Sequence, residues 1–515
     1  MQKQSITDKS RLTRFELVFL IIAATVTITI VSTCSPLYPF NPWDDANCFF
    51  TLGRGIIKGM VPYRDLYEQK GPLLYFIYAL AALISQKSFI GAWIVECITA
   101  SVFAVFSWKT AKLFVTPAKF AIALAPVLLG ITYTLKFFNF GGNAEELCFP
   151  LLSVALYFGL RSIAIKNGIP SNTEAFICGL ITACLFWIKY TFLGFMLGFV
   201  VLITILAIKN KEFKKLWSLV WRFICGFLII SVPILIYFAA NKALDSLWEA
   251  YFYNNIFLYH SASETKGLAS IPVLSHFIIP VTSLITLSVH YPDFGIVLLL
   301  SVISTVFTGK EHRKKTLMLF AVTFLFTIGL VFTKTSFIYY YGYILSYSYA
   351  FMLIPLIKGI NKLVAVYKGN PKIISLITSV FAAVIYLVVL INGKNMYLIL
   401  QPKESLSQFR IAATIQKTPD AKILTYDVMD SGFYTASDLL PKNRFFCFLN
   451  IEDNYPAIRE EQDRLIKEGY FDYIVTSYKC EAPLDKYELV QTETSTFIDY
   501  TGEKCLDGYK LYKRV

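Results

Sequence analysis

Long apolar stretches, separated by short polar loops, run along most of the 515-residue chain and end near residue 392. A helix that crosses the hydrocarbon core of a bilayer needs about 20 mostly apolar residues. Two apolar pieces between 272 and 309 are broken at His290-Tyr291-Pro292-Asp293, and we take them as one net crossing. With this crossing, the pattern predicts a polytopic α-helical membrane protein with about eleven transmembrane helices. The other ten stretches are 15–33, 89–108, 118–135, 147–165, 174–188, 191–208, 217–240, 316–334, 337–357 and 373–392.

Two parts of the chain depart from this pattern. Residues 73–84 are apolar but too short to cross a bilayer, so we expect a juxtamembrane helix on the outer surface. After residue 392, shorter alternating stretches predict strands at 423–426, 444–449, 473–476, 488–492 and 509–513, and a helix at 454–467. We therefore divide the chain into a transmembrane domain, 1–392, and a small C-terminal α/β domain, 393–515.

The composition excludes a soluble protein. Hydrophobic residues make up 56% of the chain and charged residues 16%, against about 45–50% and about 25% in soluble proteins. The net charge of +13 comes from residues 1–392, which carry 32 Lys+Arg and 16 Asp+Glu, whereas residues 393–515 carry 16 and 19. Basic residues retained on the cytoplasmic side explain this excess. We therefore expect the lipid bilayer, and no nucleic acid, as a partner.

The basic loops orient the predicted helices. Lys and Arg residues before the first span place the N-terminus in the cytoplasm. The basic segments 109–119, 161–166, 209–222, 310–315 and 358–372 then also fall inside, provided that 73–84 does not cross. We expect a multi-pass protein of the cell membrane whose first loop, residues 34–88, and whose C-terminal domain are extracytoplasmic. On that side, one pair among Cys447, Cys480 and Cys505 can form a disulfide.

The first loop concentrates charge directly beside the membrane. A carboxylate can deprotonate or orient an acceptor hydroxyl, and a Lys or Arg can hold a phosphate. This combination at the level of the lipid headgroups suits a substrate whose leaving group is a lipid phosphate, although charged loops are also common as solvated surface. The charged residues are Asp44, Asp45, Asp65, Glu68, Arg54, Lys58, Arg64 and Lys70.

A second acidic pair, Glu145-Glu146, begins the fourth span after the turn Gly141-Gly142. Two acids at a helix N-terminus also complement the helix dipole, so helix capping and a functional role explain the pair equally well. Glu96 lies inside the second span, where an acid is usually functional. The sequence shows no partner for Glu96, and we leave it out of the predicted site.

These motifs, in this order, resemble the first outer loop of the C-type (GT-C) glycosyltransferases. Those integral-membrane enzymes take sugars from polyprenyl-phosphate donors, and they include protein O-mannosyltransferases and the aminoarabinose transferases of lipid A. The resemblance covers the architecture of the whole chain, including the surface helix and the domain after the last span. Its motifs are the pair Asp44-Asp45, the turn Gly59-Met60-Val61-Pro62-Tyr63-Arg64-Asp65, the segment Lys70-Gly71-Pro72, and the second pair Glu145-Glu146.

The resemblance implies roles for the charged residues. Asp44 matches the catalytic acid, expected as general base or orienting group for the acceptor, and Asp45 fills the second place of the pair. Lys70 matches a lysine that contacts the donor phosphate. Either Glu145 or Glu146 matches a second acidic site. Some relatives have an arginine three residues after the catalytic Asp, where this chain has Asn47, so Arg64 is the candidate substitute.

Aromatic residues are further candidates for binding substrate. The stretch Tyr339-Tyr340-Tyr341-Gly342-Tyr343 resembles an aromatic-rich segment of the family, although Ile338 stands in place of a histidine. Aromatic rings can stack on a sugar, but Tyr also gathers at membrane interfaces without such a role. With Tyr63 of the first loop, the candidate substrate-binding residues are Tyr63, Tyr339 and Tyr341.

The resemblance implies an inverting membrane glycosyltransferase, a hexosyl- or pentosyltransferase. It moves a sugar from a polyprenyl-phosphate donor to an envelope acceptor (glycan, lipid or protein) on the outer face. No cofactor is implied with certainty; outer carboxylates can hold a divalent metal, but the sequence shows no ligand set. A transporter or flippase of lipid-linked or other solutes is the alternative, and charges near mid-membrane are typical of one. A sensor or scaffold whose C-terminal domain binds a partner is the third class.

Overall fold

The computed structural model describes residues 10–258, 272–330, 338–366, 371–480, 484–498 and 504–515. Within these residues, seven helices are long and apolar enough to cross a membrane, or up to eight if a bent pair, α11 and α12, makes one span. The chain is a multi-pass membrane protein. Its helices up to residue 391 are α1 (Arg14–Val31), α2 (Asp44–Ile57), α3 (Pro72–Ile84), α4 (Ile90–Phe114), α5 (Leu124–Thr134), α6 (Ala144–Gly159), α7 (Asn172–Lys189), α8 (Leu193–Lys209), α9 (Phe213–Ala240), α10 (Leu244–Leu247), α11 (Pro272–His290), α12 (Pro292–Ser304), α13 (Lys310–Leu330), α14 (Leu345–Val366) and α15 (Pro371–Ile391).

Every predicted span corresponds to one of these helices or to a pair of them. The count by length is lower for structural reasons. Residues 172–209 count as one apolar stretch by length, yet α7 and α8 are separate helices, because Lys189 at the end of α7 has an extended backbone (φ −159°, ψ 97°). The segment Lys119–Thr134 is shorter than a full span. Helix α13 is also not among the seven, because its described part begins with the charged stretch 310–315. The chain bends by 115° between α11 and α12, next to Pro292. A proline cannot continue a helix without losing a hydrogen bond.

The first loop folds into two helices, of which the apolar pattern predicts only α3. The additional helix, α2, begins with two acids in its first turn and carries Arg54 in its last turn. Both placements complement the helix dipole. All residues from Ala46 to Gly55 are buried, because α3 covers one side of α2 and the C-terminal domain covers another. Helix α2 is therefore the layer between the bundle and the C-terminal domain.

The C-terminal domain contains a four-stranded sheet. Its order is β1-β2-β4-β3, with β1 parallel to β2 and the other neighbours antiparallel. One apolar cluster, including Leu424, Leu465 and Ile474, is confined to the domain, whereas the main core continues from the bundle into it. The elements are α16 (Ser407–Ile415), β1 (Ile423–Tyr426), α17 (Phe433–Ala436), α18 (Ala457–Glu468), β2 (Tyr473–Ser477), β3 (Tyr487–Ile498) and β4 (Lys504–Arg514).

The predicted strand at 444–449 is wrong: the structure has no strand there. The backbone hydrogen bonds of this segment are scattered and form no ladder; one of them runs from the Thr425 N–H in β1 to the carbonyl of Phe446 at 3.4 Å. Side chains also bind several of its carbonyls. The Tyr434 hydroxyl donates to the carbonyl of Phe446 at 2.8 Å, and the Gln462 amide donates to those of Phe445 and Cys447 at 2.9 and 3.3 Å. Apolar alternation alone does not reveal that side chains satisfy the backbone.

Gly71 joins the first loop to the end of α7. Its N–H donates to the carbonyl of Ile188 at 3.0 Å. A Cβ at position 71 would lie 2.0 Å from the carbonyl oxygen of Trp187, which is far inside contact distance. Only glycine allows this approach of two backbones, and the approach brings Lys70 beside the end of α7.

We expect Gly71→Ala to destabilise the protein, because the added methyl group forces the first loop away from α7. Overpacked positions typically cost about 1–3 kcal/mol. Thermal unfolding in detergent measures the loss. The matched control is Gly359→Ala in α14, where a Cβ would have no atom within 4 Å and alanine is the better helix former. Equal melting temperatures for the two variants would contradict the close approach.

Candidate active site

A cavity opens where the first loop, the end of α7 and the C-terminal domain meet. The space within it, counted together with the open solvent at its mouth, is about 700 Å³. The first loop contributes two acids, an amide and a lysine, α7 ends at the cavity with a second lysine, and the C-terminal domain closes one side. The lining residues are Asp45, Glu68, Gln69, Lys70, Ile188, Lys189, Tyr190, Thr191, Tyr251, Asn255, Met429, Leu449 and Asn450.

The backbone around Lys70 is held from several directions. Glu68 accepts the Lys70 N–H at 2.7 Å, and the hydroxyls of Tyr63 and Tyr75 donate to the Lys70 carbonyl at 2.6 and 2.9 Å. The ammonium lies 3.6 Å from a Glu68 oxygen and 5.6 Å from the centre of the Phe49 ring. Lys70 therefore presents its charge to the cavity from a fixed main chain.

Lys189 forms a buried ion pair with Glu145. The exposed fractions of the two side chains are 7% and 2%, so each charge depends on the other for compensation. Glu145 stands in the first turn of α6, and Lys189 is the last residue of α7. The pair thus joins two helix ends at the cavity wall and places one of the two predicted second-site acids next to it.

The acids of the first pair occupy neighbouring positions with different surroundings. Burial raises the pKa of Asp45 above its ordinary value; Glu68 and Glu145 add to this shift, and the nearby lysines Lys70 and Lys189 oppose it. Asp44 is half-buried, and its Oδ1 accepts a hydrogen bond from the hydroxyl of Ser431 at 2.8 Å. Asp45 lines the cavity, whereas Asp44 is tied to the C-terminal domain.

Glu146 lies in a different environment from Glu145. It accepts the N–H of Gly142 at 3.1 Å, and the same N–H lies 2.6 Å from an oxygen of Glu96. Ser32 donates to Glu96 at 2.7 Å. Glu96 therefore has the partners that the sequence did not reveal. Together the two acids hold the turn before α6, where Gly141 and Gly142 have φ of +89° and +83°.

The remaining candidates lie outside the residues that line the cavity. Arg64 pairs with Asp65 at 2.8 Å and donates to the carbonyl of Asn241 at 2.8 Å. Tyr63 is buried with its ring 5.7 Å from that of Phe238, and its hydroxyl serves the Lys70 carbonyl. Tyr341 is buried and donates to the carbonyl of Pro280 at 3.1 Å. The side chain of Tyr339 lies outside the described residues.

Metal and disulfide chemistry were both left open by the sequence. In the described part of the chain, no three His, Cys, Asp or Glu side chains come together as a metal site, so the divalent metal stays an untested expectation. Cys447 and Cys480 are free thiols, and the side chain of Cys505 is outside the described residues. The sulfur of Cys447 instead lies 3.8 Å from that of Cys48 in α2.

Sequence reasoning missed several residues of the cavity. Glu68 was counted among the charged residues of the first loop, but no sequence pattern predicts its contact with Lys70. Gln69 is buried, and its Nε2 has no hydrogen-bond partner among the described residues. Such a donor pays a desolvation cost of about 1–3 kcal/mol unless it meets an acceptor. Asn450, which lines the cavity, and Ser431, which binds Asp44 outside it, come from the C-terminal domain, and nothing in their local sequence indicates a site.

With this geometry, comparison with known proteins shows the class of fold. No protein-family model matches the sequence, and no curated protein matches it significantly. Among solved structures, ArnT from Cupriavidus metallidurans in the apo state matches with a TM-score of 0.58 and 11% identity, covering 96% of this chain and 97% of that chain. ArnT bound to undecaprenyl phosphate gives a TM-score of 0.48 and 12% identity, with the same coverage.

The match to the apo structure extends over nearly the whole of both chains, so this chain has an ArnT-like, GT-C-like fold from the bundle through the C-terminal domain. The fold predicted from the motifs of the first loop is confirmed. At 11% identity the likeness concerns the fold alone.

Asp430 connects the C-terminal domain to α2 beside the candidate site. One of its oxygens accepts the hydroxyl of Thr51, and the other accepts the N–H of Gly432 at 3.0 Å. Burial raises the pKa of Asp430 from 3.8 to about 6, and these hydrogen bonds and Arg54 limit the shift. The folded protein therefore binds a proton at Asp430 more tightly than the unfolded chain does.

From this shift we expect the free energy of unfolding to fall as pH rises from about 4 through about 6, and then to level off. The contribution is on the order of 3 kcal/mol, at about 1.4 kcal/mol per pKa unit. Melting temperatures measured from pH 4 to 8 test it, with Asp430→Asn as the comparison. The difference between wild type and Asp430→Asn should change with pH in that window. A constant difference would contradict the raised pKa.

Proposed function

We propose that this protein is a membrane glycosyltransferase that moves a sugar from a polyprenyl-phosphate donor to an envelope acceptor. The observation that supports the proposal best is the cavity that combines Asp45 with two lysines, Lys70 and Lys189, at one end of the helix bundle. A carboxylate beside two cations suits a reaction in which a hydroxyl attacks a carbon and a phosphate leaves. The GT-C fold provides the scaffold for this chemistry.

In the proposal, Lys70 holds the phosphate of the donor. Its ammonium lies 3.6 Å from Glu68, and its side chain lines the cavity and is 21% exposed. The side chain of Lys189 is only 7% exposed in its buried pair with Glu145. A lysine ammonium acts on phosphate as a mobile point charge, so Lys70 can follow the phosphate as negative charge develops on it. In this proposal the cavity faces the outside of the cell, as the charges of the loops predict. A reporter fused after residue 420 should therefore lie outside, and a cytoplasmic signal would contradict this orientation.

The base in the proposal is Asp44. In a direct displacement with inversion, the acceptor oxygen attacks the anomeric carbon from the side opposite to the leaving phosphate. Asp45 lines the cavity together with both lysines. The side chain of Asp44, one residue earlier in α2, leaves the helix about 100° away around its axis. Asp44 takes the proton of the acceptor hydroxyl while the new C–O bond forms and the C–O bond to phosphate breaks. Asp45, with its raised pKa, acts electrostatically beside the lysines.

Gln69 is the proposed contact to the sugar. Its buried Nε2 has no hydrogen-bond partner among the described residues, and its side chain lines the cavity between Glu68 and Lys70. A hydroxyl or ring oxygen of a sugar is an acceptor that fits this donor. The acceptor of the transferred sugar, and the sugar itself, are left to experiment: mass spectrometry of envelope glycans with and without the protein identifies the sugar that disappears.

We expect Asp44→Asn to lower the transfer rate by about 10³-fold or more, because general-base catalysis typically contributes 10²–10⁴-fold. Asp45→Asn should have the smaller effect. Rates are measured in membranes supplied with the polyprenyl-phosphate form of the sugar identified above. Equal protein levels and melting temperatures provide the folding control. Near-normal transfer by Asp44→Asn would sink the assignment, and the reverse ranking of the two variants would move the base to Asp45.

For donor binding, we expect Lys70→Ala to raise the Kd of undecaprenyl phosphate about tenfold, since a charge-assisted hydrogen bond contributes about 1.5–3 kcal/mol. The probe is undecaprenyl phosphate, the molecule bound in one solved structure of ArnT. Its Kd is measured by titrating it into the purified protein. The matched control is Lys58→Ala, an exposed lysine of the same loop, which should leave the Kd unchanged. Equal effects of the two variants would contradict a phosphate site at Lys70.

A further inference from the structure

One face of α2 is in contact with the C-terminal domain along its whole length. Residues 44, 48, 51 and 54 are spaced by four, three and three positions, so they lie on one side of a helix. Each has a partner in the C-terminal domain: Asp44 with Ser431, Cys48 with Cys447, Thr51 with Asp430, and Arg54 with Tyr434, Asp438 and Leu439.

Arg54 anchors the far end of this face. Its guanidinium donates at 3.1 Å to the carbonyls of Tyr434 and Leu439 and to a carboxylate oxygen of Asp438. Arg54 is only 2% exposed, and a buried guanidinium keeps its place because leaving its hydrogen bonds unmade is costly. The position of α2 relative to the C-terminal domain is thereby determined at one end, and Ser431 meets α2 at the other.

Ser431 stands in a tight turn pressed against α2. Its N–H donates to the carbonyl of Met429 at 2.8 Å, and the next residue, Gly432, has φ of +95°. A Cβ on Gly432 would lie 2.4 Å from the ring of Phe40 in the first loop. The turn therefore has little room to move, and it directs the Ser431 hydroxyl towards the first turn of α2.

The Ser431 hydroxyl can reach two acceptors, and the carboxylate is the nearer one. Asp44 Oδ1 is 2.8 Å away, whereas the carbonyl of Met429 is 3.5 Å away. A hydrogen bond to an ionised carboxylate is about twice as strong as one between neutral groups. Ser431 is 5% exposed, so water competes little for this bond.

From these contacts we propose that Ser431 is a positioning residue for Asp44, and that the C-terminal domain is by this route a working part of the active site. The inference rests on the proposed function, because it assigns Ser431 a role through the proposed base. The Ser431 hydroxyl holds one oxygen of the Asp44 carboxylate, which fixes the direction in which the carboxylate meets the acceptor hydroxyl. Misplacing a catalytic group by about 1 Å is enough to cost about 10²-fold in rate.

The test compares Ser431→Ala, which removes the donor, with Ser431→Thr, which keeps it. Transfer is measured as the amount of the envelope glycan that depends on the protein, in cells that contain each variant at equal levels. Binding of undecaprenyl phosphate to the purified variants is the second measurement. The matched control is Ser437→Ala, a buried serine of the same domain whose hydroxyl donates to the carbonyl of Phe433 at 2.6 Å and not to Asp44.

We expect Ser431→Ala to reduce transfer about tenfold or more, with undecaprenyl phosphate binding within about twofold of wild type. Ser431→Thr should recover transfer to within about threefold of wild type, and Ser437→Ala should match wild type. Three results would overturn the inference: normal transfer by Ser431→Ala, equal losses in the Ala and Thr variants, or a parallel loss of transfer and lipid binding. The same assay separates the two proposals: if no envelope glycan depends on the wild-type protein, the proposed function fails. If Asp44→Asn abolishes transfer but Ser431→Ala does not reduce it, only the positioning role fails.

Discussion

The buried ion pair between Glu145 and Lys189 connects the helix bundle to the candidate site. Either charge alone would be costly in this apolar setting, because an unpaired buried charge typically destabilises a protein by about 3–5 kcal/mol. The pair fixes the start of α6 against the end of α7. At that end, the carbonyl of Ile188 accepts the N–H of Gly71, so Lys70 comes beside Lys189. The two cations of the cavity therefore share a wall because two helix ends are joined.

Helix α2 transmits this arrangement to the C-terminal domain. It packs on α3 at Gly53, where a Cβ would lie 2.5 Å from the backbone of Tyr78, and its opposite face meets the domain through Arg54 and Asp44. The apolar core continues from the bundle into the domain. The cavity is therefore assembled from the first loop, the end of α7 and the segment 429–450, which are far apart in the chain.

The local features were predictable, and the long-range contacts were not. Apolar runs of about 20 residues located the spans, and four of the five expected strands formed. The segment 444–449 forms no ladder: its carbonyls are bound by scattered backbone N–H groups and by the side chains of Tyr434 and Gln462. These contacts depend on residues outside the segment. Helix α2 was missed because it is short and contains charged residues and two glycines, Gly53 and Gly55, which are poor helix formers. For Glu96, the partners Ser32 and Gly142 lie 64 and 46 residues away.

The amino-acid sequence by itself determined the membrane class, the apolar helices and their order, and the ordered motifs that indicated a GT-C fold, because hydrophobicity and turn chemistry act over a few residues. Only the tertiary structure decided which charges meet. It paired Lys189 with Glu145, put Asp45 rather than Arg64 in the cavity, and placed Ser431 against Asp44 across 387 positions. These contacts depend on how closely backbones can approach, as at Gly71 and Gly432, and on the need of each buried charge for a partner. No local pattern in the chain records either condition.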